Sequence, residues 1–360
     1  VLLTGSTPAP ARKEVLAQIK DGSAGIVIGT HALLSEGVDF ADLGLIVVDE
    51  QHRFGVEQRD ALKLKAQLPP HLLVMTATPI PRTVAMTVFG DLDISTLTEL
   101  PKGRSPITTH VIHEVEKPHY VERAWERILE EVSKGAQAYV VAPRIESSEK
   151  DGDESREHAH SVESLYQFLT QGPLRSLRVG LLHGKLTSEE KDRIMRSFAQ
   201  GDIDCLVATT VIEVGVDVPN ATVMVIADAD RFGISQLHQL RGRVGRGAKP
   251  GLCLLLTTVD EQSAAMERLQ AVARSVDGFE LARVDLDQRR EGDVLGTAQS
   301  GSRSQLRLLR VLRDEKIIER AREVATQIIA ADPELVNHDA LRDELAKLER
   351  DERSDFIEKA

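Results

Sequence analysis

The sequence has few of the features that stabilise extracellular or membrane proteins. Only two of its 360 residues are cysteine, Cys205 and Cys253, and both lie inside apolar runs. Two such cysteines exclude a disulfide framework and lack metal-ligand spacing, so they indicate a reducing compartment, the cytoplasm. A membrane span needs about 20 apolar residues. The longest runs, Leu43–Val48 and Leu252–Leu256, are only as long as a strand, which excludes a membrane protein.

Aromatic residues and positive charge are also scarce. Aromatic side chains make up 3% of the chain, and 45 Lys and Arg against 57 Asp and Glu give a net charge of −12. This balance argues against a basic surface wrapped around nucleic acid. The acid excess is local, however. Glu146–Glu163 has seven acids and two bases, which predicts a solvated loop, and residues 331–360 have ten acids and five bases, which predicts a polar helical tail.

Short apolar runs alternate with helical patterns along most of the chain. The predicted strands are Ile26–Gly29, Leu45–Val48, Leu72–Met75, Thr109–His113, Ala138–Ala142, Val179–Leu182, Cys205–Ala208, Val223–Ala227 and Leu252–Leu256. Continuous apolar strands separated by helices are typical of parallel sheets covered on both faces. The sequence therefore predicts an α/β fold with two doubly wound units.

Breaker residues and the end of the strand pattern indicate three parts. Pro101–Pro106 has the composition of an interdomain linker, and no strand is predicted after Thr258. The later helices are predicted at Ala264–Val276, Gln305–Arg313, Lys316–Ile329 and His338–Arg350, with a glycine-rich segment, Gly278–Gly301, between the first two. We therefore predict domains over residues 1–100, 101–258 and 259–360.

Two strand ends in the first part carry polar residues that suit nucleotide chemistry. Asp49 and Glu50 follow the strand Leu45–Val48, where one carboxylate could hold Mg²⁺ and the next could polarise a water. An ordinary strand ending in a polar loop is the alternative. Thr76–Thr83 follows another strand and combines hydroxyls with prolines, which suits a stiff loop that binds phosphate or carboxylate groups; the alternative is a proline-rich turn.

Two further segments in the second part suit phosphate binding. Arg231–Pro250 contains five bases and no acids, and glycines separate several of its arginines. Glycine costs about 1 kcal/mol per helical position, so these arginines suit close approach to a phosphate better than exposure on a helix. A plain basic loop is the alternative. Thr209–Pro219 follows another strand, where hydroxyls could meet a nucleic-acid phosphate and Asp217 a ribose hydroxyl.

In this order, the four segments resemble motifs of the superfamily-2 helicases, which have two RecA-like lobes. Asp49–His52 resembles motif II, Thr76–Pro79 motif III, Thr209–Asp217 motif V and Gln239–Arg246 motif VI. The longer runs that resemble the RecG family of branched-DNA translocases are Asp49–Val56, Thr76–Thr83, Val211–Ala221 and Gln236–Gly247. The resemblance covers nearly the whole chain.

The Mfd family of transcription-repair coupling translocases is the nearest alternative, because it is similar in the same motor. It usually has Glu where Gln51 stands and a Thr-Gly-Ile-Asp run where Val214–Asp217 stands. An additional domain normally follows its motor. These differences favour the RecG family. An alternative from another class is an ATP-inert module for DNA binding or protein interaction.

The resemblance implies ATP and Mg²⁺ as cofactors, bound between the lobes. It assigns Asp49 to the metal, Glu50 to general-base catalysis, His52 and Gln239 to coupling between nucleotide and DNA, and Arg243 and Arg246 to the phosphates. It also places Gly215 and Asp217 at the nucleotide. The residues implied in DNA binding or coupling are Gly29, Thr30, His31, Thr76, Thr78, His183, Gly184, Thr209, Thr210, Arg289 and Gln299.

Asp285–Gly301 resembles the translocation segment that the RecG and Mfd families share, a helical hairpin followed by a loop. Matching positions include Arg289, Gly292, Gly296 and Gln299. The sequence departs from the family at Arg290, Glu291 and Ala298. The alternative is a glycine-rich connector between helices.

None of the 25 glycines belongs to a G-x-x-x-x-G-K-[ST] phosphate loop, which an ATPase of this kind needs. In the family this loop precedes the segment that corresponds to Val1. We therefore expect the chain to be the C-terminal part of a longer helicase, and to be inactive alone. The resemblance further implies branched double-stranded DNA as the partner, single-stranded-DNA-binding protein as another, a monomeric state, and a bacterial cytoplasmic location near the nucleoid.

Overall fold

The computed structural model describes residues 1–35, 37–49, 65–66, 68–76, 93, 95, 97, 105–143, 161–213, 217–288 and 315–347. The chain divides into two compact units, Val1–Pro79 and Ile80–Ala360. In the described part, no helix is both long and apolar enough to span a bilayer.

Unit 1 contains two pairs of parallel strands. Its elements are β1 (Leu2–Leu3), α1 (Ala9–Lys20), β2 (Ile28–Gly29), a 3₁₀ turn (His31–Leu34), β3 (Leu45–Val48) and β4 (His71–Val74). Strand β1 pairs with β2, and β3 pairs with β4. Leu3, Ile19 and Val38 form one small core, which joins α1 to the first pair, and Ile46 and Val48 form another.

Strand β3 alternates between buried and exposed side chains. Ile46 and Val48 are buried, but Leu45 and Val47 are 59% and 53% exposed. Because adjacent strand residues point to opposite faces, Leu45 and Val47 share one face of β3, and Ile46 and Val48 share the other.

Unit 2 is built on a six-stranded parallel sheet. Its strands are β5 (Ile107–His113), β6 (Gln137–Val141), β7 (Val179–Leu182), β8 (Cys205–Ala208), β9 (Ala221–Ile226) and β10 (Gly251–Thr257). The strand order is β5-β10-β9-β6-β8-β7. The helices that connect them are α2 (Pro118–Ser133), α3 (Val162–Gln171), α4 (Ser188–Ala199) and α5 (Ile234–Arg241). This part confirms the predicted doubly wound α/β fold.

The central strands of this sheet are buried on both faces. In β6, Tyr139 and Val141 enter a core with Phe198 of α4, whereas Ala138 and Val140 enter the opposite core, which includes α2 and α3. Because side chains alternate along a strand, an uninterrupted apolar strand supplies both cores.

The chain becomes helical after β10. Helices α6 (Ala264–Arg274), α7 (Gly278–Gln288) and α8 (Glu315–Ala331) follow, and residues 339–347 are helical. The predicted glycine-rich segment Gly278–Gly301 therefore begins with a helix. Gly278 begins α7 and no further glycine lies within the helix, so Phe279–Gln288 offers no breaker. The predicted helix Gln305–Arg313 lies outside the described residues.

The predicted acidic loop is also shorter than expected at its end. Ser161 is the N-cap of α3, with its hydroxyl accepting from the Ser164 N–H, and Val162 is fully buried. The last residues of Glu146–Glu163 therefore belong to a capped helix, because a serine N-cap followed by an apolar residue anchors the helix start. Residues 144–160 lie outside the described part of the chain.

Candidate functional site

In unit 1, Asp49 and Thr76 lie at the same edge of a strand pair. Asp49 directly follows β3, and Thr76 lies two residues after β4. The strands are parallel with Val48 opposite Val74, and the Met75 N–H donates to the Val48 carbonyl at 2.8 Å. Asp49 is exposed and Thr76 is partly exposed. The structure therefore brings two predicted site residues together at the carboxyl ends of their strands.

Gly29, Thr30 and His31 lie where β2 passes into the 3₁₀ turn, and all three are exposed. A side chain at Gly29 would place a Cβ 2.3 Å from the Leu3 carbonyl oxygen, so only glycine fits. The loop that follows is fixed by Lys65, whose Nζ donates to the carbonyls of Ser35 and Val38 at 2.8 and 3.0 Å. This arrangement presents the three residues on a braced turn.

In unit 2, His183, Gly184, Thr209 and Thr210 gather at the carboxyl edge of the sheet. Strands β7 and β8 are neighbours, and the Thr209 N–H donates to the Leu182 carbonyl at 3.1 Å. His183 is 9% exposed, and its Nδ1 atom has no hydrogen-bond partner among the described residues. Lys191 donates to the Gly184 carbonyl at 2.9 Å. This edge therefore carries hydroxyls, a histidine and a lysine beside one another.

A second cluster contains Asp217 and Arg246. Arg246 Nη1 lies 3.3 Å from Asp217 Oδ1, and Arg246 Nε donates to the Gly242 carbonyl at 2.9 Å. The Gly245 N–H donates to the carbonyl of Ala221, the first residue of β9. Arg246 therefore lies beside the start of β9, at the amino edge of the sheet. Arg243 is partly exposed on the same loop.

The structure separates the two ends of the predicted segment Thr209–Pro219. Thr209 directly follows β8 at the carboxyl edge, whereas Asp217 precedes β9 at the amino edge. In a parallel sheet these edges lie one strand length apart, roughly 13–20 Å for strands of four to six residues. Thr209 and Asp217 therefore lie toward opposite edges of the sheet, although they are close in sequence.

Glycines hold the arginine loop against the segment that contains Asp217. Gly245 has φ +68°, a backbone conformation that residues with a side chain rarely adopt. A Cβ at Gly247 would lie 2.7 Å from the Pro219 carbonyl oxygen. The glycine spacing in this motif therefore sets backbone conformation and packing, in addition to any access for phosphate.

Replacing Gly247 with alanine is therefore expected to destabilise unit 2 by about 1–3 kcal/mol, because the new methyl group overlaps backbone that cannot rotate away. The measurement is the midpoint of thermal unfolding. Gly25→Ala is the matched control, since a Cβ there meets nothing within 4 Å. Equal midpoints for the two variants would contradict the close packing.

Arg241 has a different role from the one that its sequence context predicts. It is the last residue of α5 and only 2% exposed. Its Nη1 donates to the carbonyls of Val272 and Ser275 at 2.5 and 2.7 Å, and its Nη2 bonds to His238 Nδ1 at 2.9 Å. Arg241 therefore ties α5 to the end of α6, and the exposed charge of the Arg231–Pro250 segment is lower than its composition implies.

Tyr139 is a buried group near this cluster that the sequence did not single out. Its ring packs on Phe198 with the centroids 4.9 Å apart. Burial raises the pKa of Tyr139 to about 12, the charges of Arg243 and Arg246 oppose this rise, and the charge of Asp217 adds to it. The available signal was a tyrosine inside the otherwise aliphatic run Ala138–Ala142.

The remaining predicted site residues are placed as follows. Gln239 lies on α5 and is partly buried. The predicted residues outside the described part of the chain are Glu50, His52, Thr78, Gly215, Arg289 and Gln299.

Three protein-family models match the chain. Residues 2–87 match the DEAD/DEAH box helicase model, and residues 121–248 match the helicase conserved C-terminal domain. Residues 275–351 match the C-terminal part of domain 3 of the ATP-dependent DNA helicase RecG. The order of these matches and the parallel sheet define the class of protein, a helicase with RecA-like lobes.

Within this class the chain belongs to the RecG family. It is 58% identical to ATP-dependent DNA helicase RecG from Mycobacterium leprae over 331 residues, which is 91% of this chain and 44% of the relative. It is 46% identical to RecG from Synechocystis over 346 residues, 96% of this chain and 40% of the relative. The chain thus spans less than half the length of these relatives.

A solved structure of RecG bound to a three-way DNA junction is also similar, with a TM-score of 0.62 and 39% identity over 88% of this chain and 39% of that one. The helicase Lhr from Mycobacterium smegmatis has a TM-score of 0.54 at 16% identity, covering 76% of this chain and 37% of that one, and shares the fold. These comparisons favour the RecG family over the Mfd family.

Proposed function

We propose that the protein works as an ATP-dependent translocase on double-stranded DNA and remodels branched DNA, such as stalled forks and four-way junctions, in recombination and repair. The observation that carries the proposal is 58% identity to RecG over 91% of the chain. A RecG homologue with 39% identity has been solved on a three-way junction. We extend the proposal to a monomer that acts at the cytoplasmic nucleoid, with single-stranded-DNA-binding protein as a further partner.

The nucleotide chemistry is assigned to three kinds of residue. We assign Asp49 to Mg²⁺, Glu50 to general-base activation of the attacking water, and Arg243 and Arg246 to the nucleotide phosphates. The donor set fits Mg²⁺, which is usually held by one or two carboxylates together with phosphates and waters, so a single exposed Asp at a strand end suffices. Bound Mg²⁺ would neutralise phosphate charge during transfer.

Further residues are assigned to the nucleotide and to its coupling with DNA. Asp217 and Gly215 are assigned to the nucleotide, and His52 and Gln239 to the coupling of its state to DNA. The geometry around Arg246 supports a role at phosphate, because a guanidinium with a braced backbone and a partly exposed side chain can contact an incoming anion.

The DNA contacts are assigned to the carboxyl edge of each strand set. In unit 1 these are Gly29, Thr30, His31 and Thr76, and Thr78 is assigned to DNA from the motif alone. In unit 2 they are His183, Gly184, Thr209 and Thr210, with Arg289 and Gln299 in the translocation segment. Hydroxyls and backbone groups bind phosphate without reading sequence. With 3% aromatic residues, stacking on bases contributes little, and affinity should fall steeply with salt.

The test compares three DNA substrates with the full-length natural protein. We expect a three-way junction to stimulate ATP hydrolysis and to be unwound, whereas linear duplex and single strands of equal length stimulate weakly. Affinity for the junction should fall as salt rises, with little dependence on sequence. Absence of DNA-stimulated hydrolysis would favour the inert binding module, and equal responses to all three DNAs would contradict the branched substrate.

A further inference from the structure

The contact between Asp217 and Arg246 joins two segments that the sequence assigns separately to the nucleotide. Their charged atoms lie 3.3 Å apart, with side chains 56% and 32% exposed respectively. The contact is therefore accessible from solvent, where an anion could compete for the guanidinium.

The backbone on both sides of this contact is fixed. Val218 follows Asp217 and Val244 lies two residues before Arg246. Their side chains are 2% and 0% exposed and belong to the same core. Gly245 is bonded to the start of β9, and Gly247 packs closely on Pro219. The two charged side chains are consequently held beside each other by buried anchors, so the pair does not depend on a chance encounter of long surface side chains.

Arg246 keeps donors available while it contacts Asp217. It uses Nε for the Gly242 carbonyl and Nη1 for Asp217. Its Nη2 has no hydrogen-bond partner among the described residues, and a guanidinium carries five N–H donors in all. A phosphate can therefore approach Arg246, but it approaches a guanidinium whose charge Asp217 partly offsets.

We propose that Asp217 is a positioning residue that holds the Arg246 side chain and weakens its attraction for phosphate until nucleotide phosphates displace the carboxylate. This inference rests on the proposed function, because it takes Arg246 to be a phosphate ligand. The proposal also predicts that Asp217 changes nucleotide affinity in the opposite direction from a ribose contact. As a ribose contact Asp217 strengthens nucleotide binding, whereas as a holder of Arg246 it opposes phosphate binding.

The experiment is a double-mutant cycle on the full-length protein with a non-hydrolysable ATP analogue. Affinities are measured for the wild type, Asp217→Asn, Arg246→Gln and the double variant. If Asp217 contacts only the ribose, Asp217→Asn changes affinity by the same factor with and without Arg246. The ratio of the two factors therefore measures the interaction between Asp217 and Arg246. Because Asp217→Asn releases the Arg246 guanidinium from the carboxylate, the substitution should raise affinity by roughly three- to tenfold more when Arg246 is present than when it is absent.

Magnesium tripolyphosphate provides a ribose-free probe of the same effect. Its affinity is measured by displacement of a fluorescent ADP analogue. We expect Asp217→Asn to raise this affinity, and the gain to be smaller when Arg246 is also replaced. Asp192→Asn removes one charge from an exposed position of α4 and is the matched control. It should leave the affinity unchanged.

Two results would overturn the inference, and they differ from a failure of the proposed function. The inference is wrong if Asp217→Asn has the same effect with and without Arg246, or if it leaves tripolyphosphate affinity equal or weaker. If Arg246→Gln changes neither affinity, Arg246 is not a phosphate ligand, and its assignment in the proposed function fails as well.

Discussion

Replacing Arg246 with glutamine is expected to lower DNA-stimulated ATP hydrolysis by about a thousandfold, the lower end of the range for an arginine that stabilises a transferring phosphoryl group. Charge develops on the phosphoryl oxygens in the transition state, and a guanidinium with free donors stabilises it there. Stability should hardly change. The ion pair with Asp217 is partly exposed, and such pairs contribute below about 1 kcal/mol.

The measurement is kcat for ATP hydrolysis at saturating junction DNA, together with the midpoint of thermal unfolding. Arg246→Lys separates charge from geometry, because lysine keeps the charge but lacks the planar fork, and we expect it to recover only a small part of the rate. Arg175→Gln removes an exposed arginine before β7 and serves as the control. A loss smaller than tenfold in Arg246→Gln would show that this arginine does not act on the phosphoryl group.

Most strands could be predicted because they are short apolar runs. Leu45–Val48, Val179–Leu182 and Cys205–Ala208 have the predicted bounds, and Leu72–Met75 shifts by one residue to His71–Val74. Strands buried on both faces need no polar alternation, so their apolar runs are continuous, as in Cys205–Ala208, whose four residues are all buried. The start of α7 was missed because Gly278 was included in a glycine-rich segment, whereas one glycine at the first position of a helix costs little.

The site could be predicted only as a set of segments. Strand ends mark Asp49, His183 and Thr209, since polar residues after a buried strand are visible in sequence. The separation of Thr209 from Asp217 could not be predicted from the sequence, because the chain returns from the end of β8 to the start of β9 between these residues. A sequence gives no measure of which sheet edge a residue reaches until the strand order is known.

The roles of the arginines were hidden for a related reason. Arg241 and Arg246 occur in one glycine-rich motif and look equivalent. One is the buried end of a helix and the other is partly exposed on a loop. The difference is decided by α6, whose last carbonyls meet Arg241 about 30 residues further along the chain. Composition counts both as charge available to phosphate.

Replacing Arg241 with methionine is expected to destabilise unit 2 by about 3 kcal/mol, because hydrogen bonds from a charged donor contribute about 1.5–3 kcal/mol each and their buried acceptors lose their partner. The guanidinium lies at the C-terminal end of α6, where positive charge also offsets the helix dipole. Methionine preserves much of the apolar stem, so the loss reports the polar contacts and not a cavity.

The measurement is the thermal unfolding midpoint of the full-length protein, which should fall by roughly 5–10 °C. Arg243→Met, on the partly exposed loop, is the matched variant and should shift the midpoint by much less. A guanidinium can only donate hydrogen bonds, so His238 Nδ1 accepts the bond from Arg241. The hydrogen of the neutral ring is therefore on Nε2. His238→Ala removes this acceptor, so it should by itself lower the unfolding midpoint by part of the amount that Arg241→Met does. If Arg241→Met unfolds at the wild-type midpoint, the buried guanidinium is not what joins α5 to α6.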